Sequence, residues 1–273
     1  MRKFGAISRL AVFLAVTSVV VTGCSSGGEA KSSSVSYPDS TQTPGHIRVA
    51  TTGDSKPSSF TAEGKQQGFD VDVLDAIAQA NGYETEYVTM DFSAILATVQ
   101  NGQADIAVNS ISRTPARLKN VDFSEPYYIG YASITTTTKS GITDPAGLAE
   151  KRIGFLKGSI YEGYTVKEYP NADAVAFPDF NTAMQALATG TIDGYFGDLP
   201  PVQDYIAKNP EEGIVILSKE PILDLPVAAA IRKGNMPMAE MFNDGLKKLV
   251  ADGTWQKLYQ KWFPDQPVPE MFS

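Results

Sequence analysis

From residue 46 onward the chain alternates short apolar runs with longer stretches in which apolar side chains recur every three to four residues. Residues 46–51 read as a strand, as do 84–90, 104–110, 132–138, 152–158, 173–178, 192–198, 213–218 and 226–233. Residues 69–80 place Val73, Leu74, Ile77 and Ala78 on one helical face and stop at Asn81-Gly82, a C-cap signal. A second helix follows Asp91, carries Ile95, Leu96 and Val99, and ends at Asn101-Gly102. Further helices are predicted near 144–150, over 160–168 and 181–189, near 201–208, and over 237–251 and 254–262. Strands alternating with helices of this length predict α/β layers on mainly parallel sheet, and two such series predict two lobes. In open sheets of this kind ligands bind beyond the carboxyl ends of strands, where polar loops meet helix N-termini. The loops after Ser110, Gly158 and Asp198 fit that description.

The first 45 residues follow a different pattern. Arg2, Lys3 and Arg9 stand without an acid ahead of a mostly apolar run over 10–21, the layout of an export signal. That run is too short to span a bilayer comfortably. Val21-Thr22-Gly23-Cys24 resembles the lipobox of bacterial lipoproteins, in which the cysteine is diacylated and becomes the new N-terminus. Cys24 is the chain's single cysteine; a structural one would sit in a core strand, not before a Ser/Gly-rich tract. Two acyl chains would give stable membrane attachment and leave no thiol for a disulfide. Residues 24–45 then form a tether without apolar periodicity. The expected location is extracytoplasmic and lipid-anchored, with Ser25 and the tether length favouring a Gram-positive surface.

Composition removes several functional classes. The 273 residues are 42% hydrophobic and 20% charged, the balance of a globular protein. Net charge is −8, and loss of residues 1–23 with their three cations makes it −11, which disfavours nucleic acid and anionic lipid headgroups. His46 is the lone histidine and stands at the edge of the tether, which argues against a Ser-His-Asp triad and a multi-histidine metal site. No Walker loop or Rossmann glycine fingerprint occurs, and no two carboxylates pair convincingly for acid/base work. No enzyme, cofactor or metal is expected. Tyr127, Tyr128, Trp255 and Trp262 read as packing aromatics.

Four segments then carry a resemblance. "GFDVDVLDAIAQANG" (68–82), "NGQADIAVNSISRTPARLKNVDFSEPYY" (101–128), "GDLPPVQDY" (197–205) and "DGTWQKLYQKWF" (252–263) resemble, in order, the family 3 solute-binding proteins of polar amino acid ABC importers. The resemblance covers essentially all of 46–273, and T-x-x-R followed by F-S-x-P-Y-Y is its most specific signal. It implies a type II periplasmic-binding-protein fold: two α/β lobes joined by two crossover strands, with the ligand buried in the cleft. Lobe 1 would comprise 46–130 and 228–273, lobe 2 residues 131–227, with crossovers near 129–133 and 223–228. The resemblance also implies a monomer that meets an ABC transporter permease. By the same resemblance Arg117 clamps an α-carboxylate, where a planar guanidinium matches the anion bidentately. Ser112 adds hydroxyl and backbone contacts, Ser110 offers a carbonyl to the ammonium, and Asp198 pairs with that ammonium from the second lobe. Gly158, Ser159 and Ile160 form the second lobe's ligand loop.

Each residue also has a plainer reading. Arg117 could be a solvated loop charge, Asp198 an N-cap ahead of Leu199-Pro200, and Ser110 and Ser112 turn residues. Together an arginine and a carboxylate from opposite lobes make a zwitterion clamp. At the ligand's variable end the chain departs from better-known members: Ser55 stands where many carry a stacking aromatic, and Thr52 where glutamine binders tend to have an acid. Leu156 and Gly197 occupy positions often polar or charged, and Phe92 remains as an aromatic wall. Such a pocket points to neutral polar amino acids or cystine. The alternatives are a cyclohexadienyl dehydratase-like enzyme, for which "TTGDSKP" (51–57) is reminiscent, and a ligand-sensing protein. In the enzyme a glutamate proton donor occupies the position of Asp198.

Overall fold

The computed structural model describes residues 41–218 and 224–272; the expected signal, Cys24 and the tether up to residue 40 lie outside the described residues. The last stretch of the expected tether is held by the fold. Gln42 N–H donates to Asp105 Oδ1 at 2.9 Å, and Thr43 bridges to His46.

The first lobe is built on a five-stranded sheet of β1 (His46–Thr51), β5 (Glu84–Thr89), β6 (Ile106–Ala107), β7 (Val121–Phe123) and β14 (Ala230–Arg232), in the order β5-β1-β6-β14-β7. β5, β1 and β6 are parallel, and β14 runs antiparallel between β6 and β7. A separate antiparallel hairpin sheet of β2 (Asp54–Ser55), β3 (Ser59–Ala62) and β4 (Lys65–Gln67) precedes α1 (Phe69–Ala80). Helix α1 packs with α6 (Met236–Ala251) and α7 (Thr254–Trp262) on one face, burying Val73, Leu74, Phe242 and Trp255 against Ile47 and Ile106. On the other face α2 (Phe92–Gln100) buries Ile95 and Val99 against Ala50, Ala107 and Val121.

The second lobe's sheet joins β8 (Tyr128–Thr137), β9 (Arg152–Leu156), β10 (Asp173–Phe177), β11 (Gly194–Asp198) and β12 (Ile214–Ile216) in the order β10-β9-β11-β8-β12. β10, β9 and β11 are parallel; β8 is antiparallel to β11 and β12. Helices α3 (Tyr161–Glu168), α4 (Phe180–Ala188) and α5 (Leu199–Lys208) cover it, burying Tyr161 against Phe196 and Met184 and Val202 beside Tyr195. β8 is one continuous ten-residue strand. Its first half pairs with β13 (Asp224–Val227), Tyr128 opposite Val227, and its second half lies in the second sheet. These two strands link the lobes.

Several elements differ from the sequence expectation. Both sheets are mixed, because β8 and β14 enter by the linking strands and arrive antiparallel. The expected strand over 104–110 keeps ladder pairing only at Ile106–Ala107. Beyond it the Asn109 side chain takes the Thr52 N–H (3.0 Å), and Ser110 turns to φ 48. The strand expected over 226–233 is two strands, broken at Ala228-Ala229, whose amides bond Ile111 O and Ser124 Oγ instead. The helix expected near 144–150 is a 3-10 turn, Pro145–Leu148, capped by Asp144. The hairpin sheet and β7 escaped the reading because their runs are too short for periodicity.

Candidate functional site

Between the lobes lies a narrow cavity of about 30 Å³. From the first lobe it is lined by Ser55, Phe92, Asn109, Ser110, Ser112 and Arg117. From the second come Ser159, Ile160, Asp198 and Leu156, with Tyr161, Phe180, Tyr195 and Pro201 completing the wall. Most of the residues singled out from the sequence therefore meet in one space.

Arg117 opens the 3-10 turn Arg117–Lys119, its amide held by Thr114 Oγ1 at 3.3 Å. The guanidinium donates from Nη1 to Ser112 O at 2.9 Å and from Nη2 to Gly158 O in the other lobe at 3.2 Å. Its Cζ lies 5.7 Å from the centre of the Phe92 ring, a cation–π contact. Burial pulls its proton affinity down from the usual value, while Asp198 and Tyr161 push it back. An arginine stays charged under these conditions. The solvated-loop reading does not describe this residue.

Asp198 ends β11 and stands at the N-cap of α5, yet its side chain makes no cap hydrogen bond. The reason is chemical. An N-cap carboxylate accepts from the second or third helical N–H, and here those positions are Pro200 and Pro201, which have none. The carboxylate is left for the cavity, where Oδ1 accepts a short hydrogen bond from the Tyr161 hydroxyl. Burial pushes Asp198 up to about 6; the Tyr161 hydroxyl and the Arg117 charge oppose that rise. Burial and then Asp198 hold the Tyr161 hydroxyl well above its ordinary value, so it remains a donor.

Ser112 is buried, and its carbonyl anchors Arg117. Ser110 adopts φ 48; its N–H donates to Asp70 Oδ2 at 2.6 Å, and its hydroxyl meets that of Ser58 at 2.9 Å. In the second lobe Gly158 turns at φ 77 and closely faces Ser93, while Ser159 Oγ accepts the Tyr161 N–H at 3.3 Å. Thr52 is the exception among the expected residues. It is buried and lines a neighbouring chamber across Phe92 and Leu156, with its hydroxyl given to Asn109 Oδ1 at 2.8 Å. Leu156 does face the cavity, whereas the space beside Gly197 is filled by the Tyr195 ring.

Sequence reasoning passed over Asn109, Tyr161 and Asp70. Tyr161 and Asn109 carry no local signal, because their roles come from strands paired across the sheets. The Pro200-Pro201 pair was a readable signal that Asp198 could not cap. Contacts across the cleft were also unforeseen: Asp54 Oδ2 accepts the Phe180 N–H at the start of α4 (2.7 Å), and Lys56 Nζ lies 3.0 Å from Asp204 Oδ1. Among the described residues no group of three or more His, Cys, Asp or Glu could hold a metal ion. Chemically, the cavity offers a cation from one lobe and an anion from the other, with hydroxyl and amide groups between.

The family model for bacterial extracellular solute-binding proteins, family 3, matches residues 47–265. The ABC transporter arginine-binding protein 1 of Escherichia coli (strain K12) is 28% identical over 208 residues, 76% of this chain and 85% of the relative. A solved ancestral arginine-binding protein bound to glutamine is 32% identical with a TM-score of 0.77, covering 82% of this chain and 100% of that one. The ancestral amino acid-binding protein AncCDT-1, a precursor of cyclohexadienyl dehydratase, is 31% identical with a TM-score of 0.73, covering 80% and 96%. The relatives named are amino-acid-binding proteins, and two of them share the bilobal architecture in solved form. With a match over most of its length, the chain belongs to the bacterial extracellular solute-binding proteins, family 3.

Proposed function

We propose that this protein captures a free amino acid in the inter-lobe cavity and delivers it to the permease of an ABC importer. It would do so outside the cytoplasm, held to the membrane by lipid on Cys24. The observation that carries the reading is that Arg117 and Asp198, from opposite lobes, line one cavity. An α-carboxylate would take the guanidinium, and an α-ammonium would take the Asp198 carboxylate. Both charges are partly removed from water and need such compensation. The ligand would bridge the lobes and favour their closed arrangement about β8 and β13. The lobe limits would be 46–130 with 228–273, and 131–227.

The ligand's side chain would be neutral. Asp198 is the single carboxylate among the described lining residues, and the ammonium would use it. The opposite end presents Ser55, Phe92 and Leu156. Glutamine, another neutral polar amino acid, or cystine would suit this wall; ancestral arginine-binding relatives are solved with glutamine and with arginine. The test is calorimetric titration of residues 41–273 with L-glutamine, L-cystine, L-arginine and L-glutamate. Binding of glutamine or cystine is expected; tight binding of arginine or glutamate instead would overturn the neutral assignment. For the dehydratase alternative, purified protein given prephenate or arogenate should show no turnover, as a shorter aspartate replaces the proton-donating glutamate.

A further inference from the structure

Asp70 sits in the first turn of α1 and is fully enclosed, at 1% exposure. Helix capping does not account for it. The Phe69 and Asp70 amides at the start of α1 are already taken by the carbonyls of Pro57 (2.9 Å) and Ser58 (3.0 Å). Its Oδ2 instead accepts the Ser110 N–H at 2.6 Å, and its buried Oδ1 has no hydrogen-bond partner in the protein. A fully buried carboxyl is costly even with the Ser110 N–H and the Tyr127 hydroxyl beside it, and one kept at such cost asks for a role other than stability.

That role is visible in what the bond restrains. Ser110 is one of two non-glycine residues at positive φ among the described residues, and it lies on the cavity wall. Its amide belongs to the Asn109–Ser110 peptide, a planar trans unit whose N–H and C=O point opposite ways. With the N–H drawn to Asp70, the Asn109 carbonyl of the same peptide is turned away from Asp70. The neighbouring groups tie the same stretch: Ser110 Oγ to Ser58 Oγ at 2.9 Å, and Asn109 Oδ1 to the Thr52 N–H at 3.0 Å. We propose that Asp70 is a positioning residue that holds the Asn109–Ser110 peptide in its left-handed turn, so that this peptide presents an acceptor to the ligand's ammonium beside Asp198. The ammonium part rests on the zwitterion reading above. Burial pushes the Asp70 carboxyl up to about 7, the Ser110 N–H and the neighbouring Tyr127 hydroxyl restraining the rise and the Asp198 charge adding to it.

The test has a part that needs no ligand. In amide NMR spectra of the ligand-free protein, Ser110 should resonate downfield and titrate with Asp70 in the wild type. It should stay downfield without titrating in Asp70→Asn, whose Oδ1 can still accept, and move to an ordinary position in Asp70→Ala. A Ser110 amide that ignores Asp70→Ala overturns the proposal whatever the protein binds. With L-glutamine as probe, Asp70→Ala should bind at least 10-fold more weakly, and Asp70→Asn within about threefold of wild type. 4-Carbamoylbutanoate, which lacks the ammonium, should bind wild type and Asp70→Ala alike. Equal loss for both probes would make Asp70 a merely structural residue. Should Asp70→Ala not fold, Asp70→Ser, too short to reach the amide, takes its place. If neither L-glutamine, L-cystine nor L-arginine binds wild type, the functional reading fails, and the Ser110 amide alone decides Asp70.

Discussion

The Arg117 guanidinium reaches across the cleft and donates from Nη2 to the carbonyl of Gly158, 3.2 Å away in the opposite lobe. The same side chain is fixed by the Ser112 carbonyl and packed on Phe92. It is thus both a wall of the cavity and a strut between its halves.

Replacing Arg117 should therefore cost more than one contact. Truncating one partner of a desolvated, hydrogen-bonded charge pair costs about 2–5 kcal/mol. Arg117→Ala should lower amino acid affinity by roughly 30-fold or more on that scale. Arg117→Lys should recover only a small part, since an ammonium cannot hold a carboxylate bidentately. Calorimetric titration of the three proteins checks this, and an Arg117→Lys variant with wild-type affinity would contradict it.

Asp198 makes binding depend on pH. Its pKa is raised to about 6, and an arriving ammonium favours the ionised form. Affinity should fall as pH drops below about 6, and binding near that pH should release protons. Titrations at pH 5 to 8 in buffers of different ionisation enthalpy would show both effects. Asp198→Asn should bind weakly and with the dependence flattened.

The ligand-free fold should lose stability as pH rises. Asp70 and Asp198 both titrate above the ordinary carboxylate value, at about 7 and about 6. The native state thus binds more protons than the unfolded chain between those values and about 4. Their favourable contribution is complete below about pH 4 and is lost as pH rises through 6 to 7. Asp122 and Asp193 are shifted the opposite way, by Lys233 and Arg152, so their effect falls below that window. Thermal unfolding should give a higher midpoint at pH 5 than at pH 8, and the Asp70→Asn, Asp198→Asn double variant should lack most of that difference.

Asp54 and Lys56 flank Ser55 and both grip the second lobe, through the Phe180 N–H and Asp204. The Asp54 bond pairs a carboxylate with a helix N-terminus and should be worth about 1.5–3 kcal/mol. The partly exposed Lys56–Asp204 pair should contribute under about 1 kcal/mol and weaken with salt. In stopped-flow release measurements Asp54→Ala should speed ligand dissociation on the order of tenfold. Lys56→Ala should act less and only at low ionic strength.

Much of this architecture was legible because α1, α2 and α4 carry apolar faces and end at Asn81-Gly82, Asn101-Gly102 and Gly190. Arg117, Ser112 and Asp198 were legible because they fall in long, ordered segments. Periodicity failed where side chains replace ladder hydrogen bonds, as Asn109 does beyond β6 and Ser124 does at Ala229. It also failed for two- and three-residue strands. Asp70 was hidden for another reason: in sequence it is an ordinary first-turn acid, and only its meeting with Ser110, forty residues away, gives it a role. Thr52 looked like a pocket residue by position, but Asn109 draws it behind the wall.

The zwitterion clamp is tested most directly by pairing blocked ligands with the two variants. L-Glutamine, its α-amide and its N-acetyl derivative would be titrated into wild type, Arg117→Ala and Asp198→Ala. The α-amide should bind wild type and Arg117→Ala equally weakly, and N-acetylglutamine should not distinguish wild type from Asp198→Ala. If Arg117→Ala weakened the α-amide as much as glutamine itself, the guanidinium would not be reading the ligand's carboxylate.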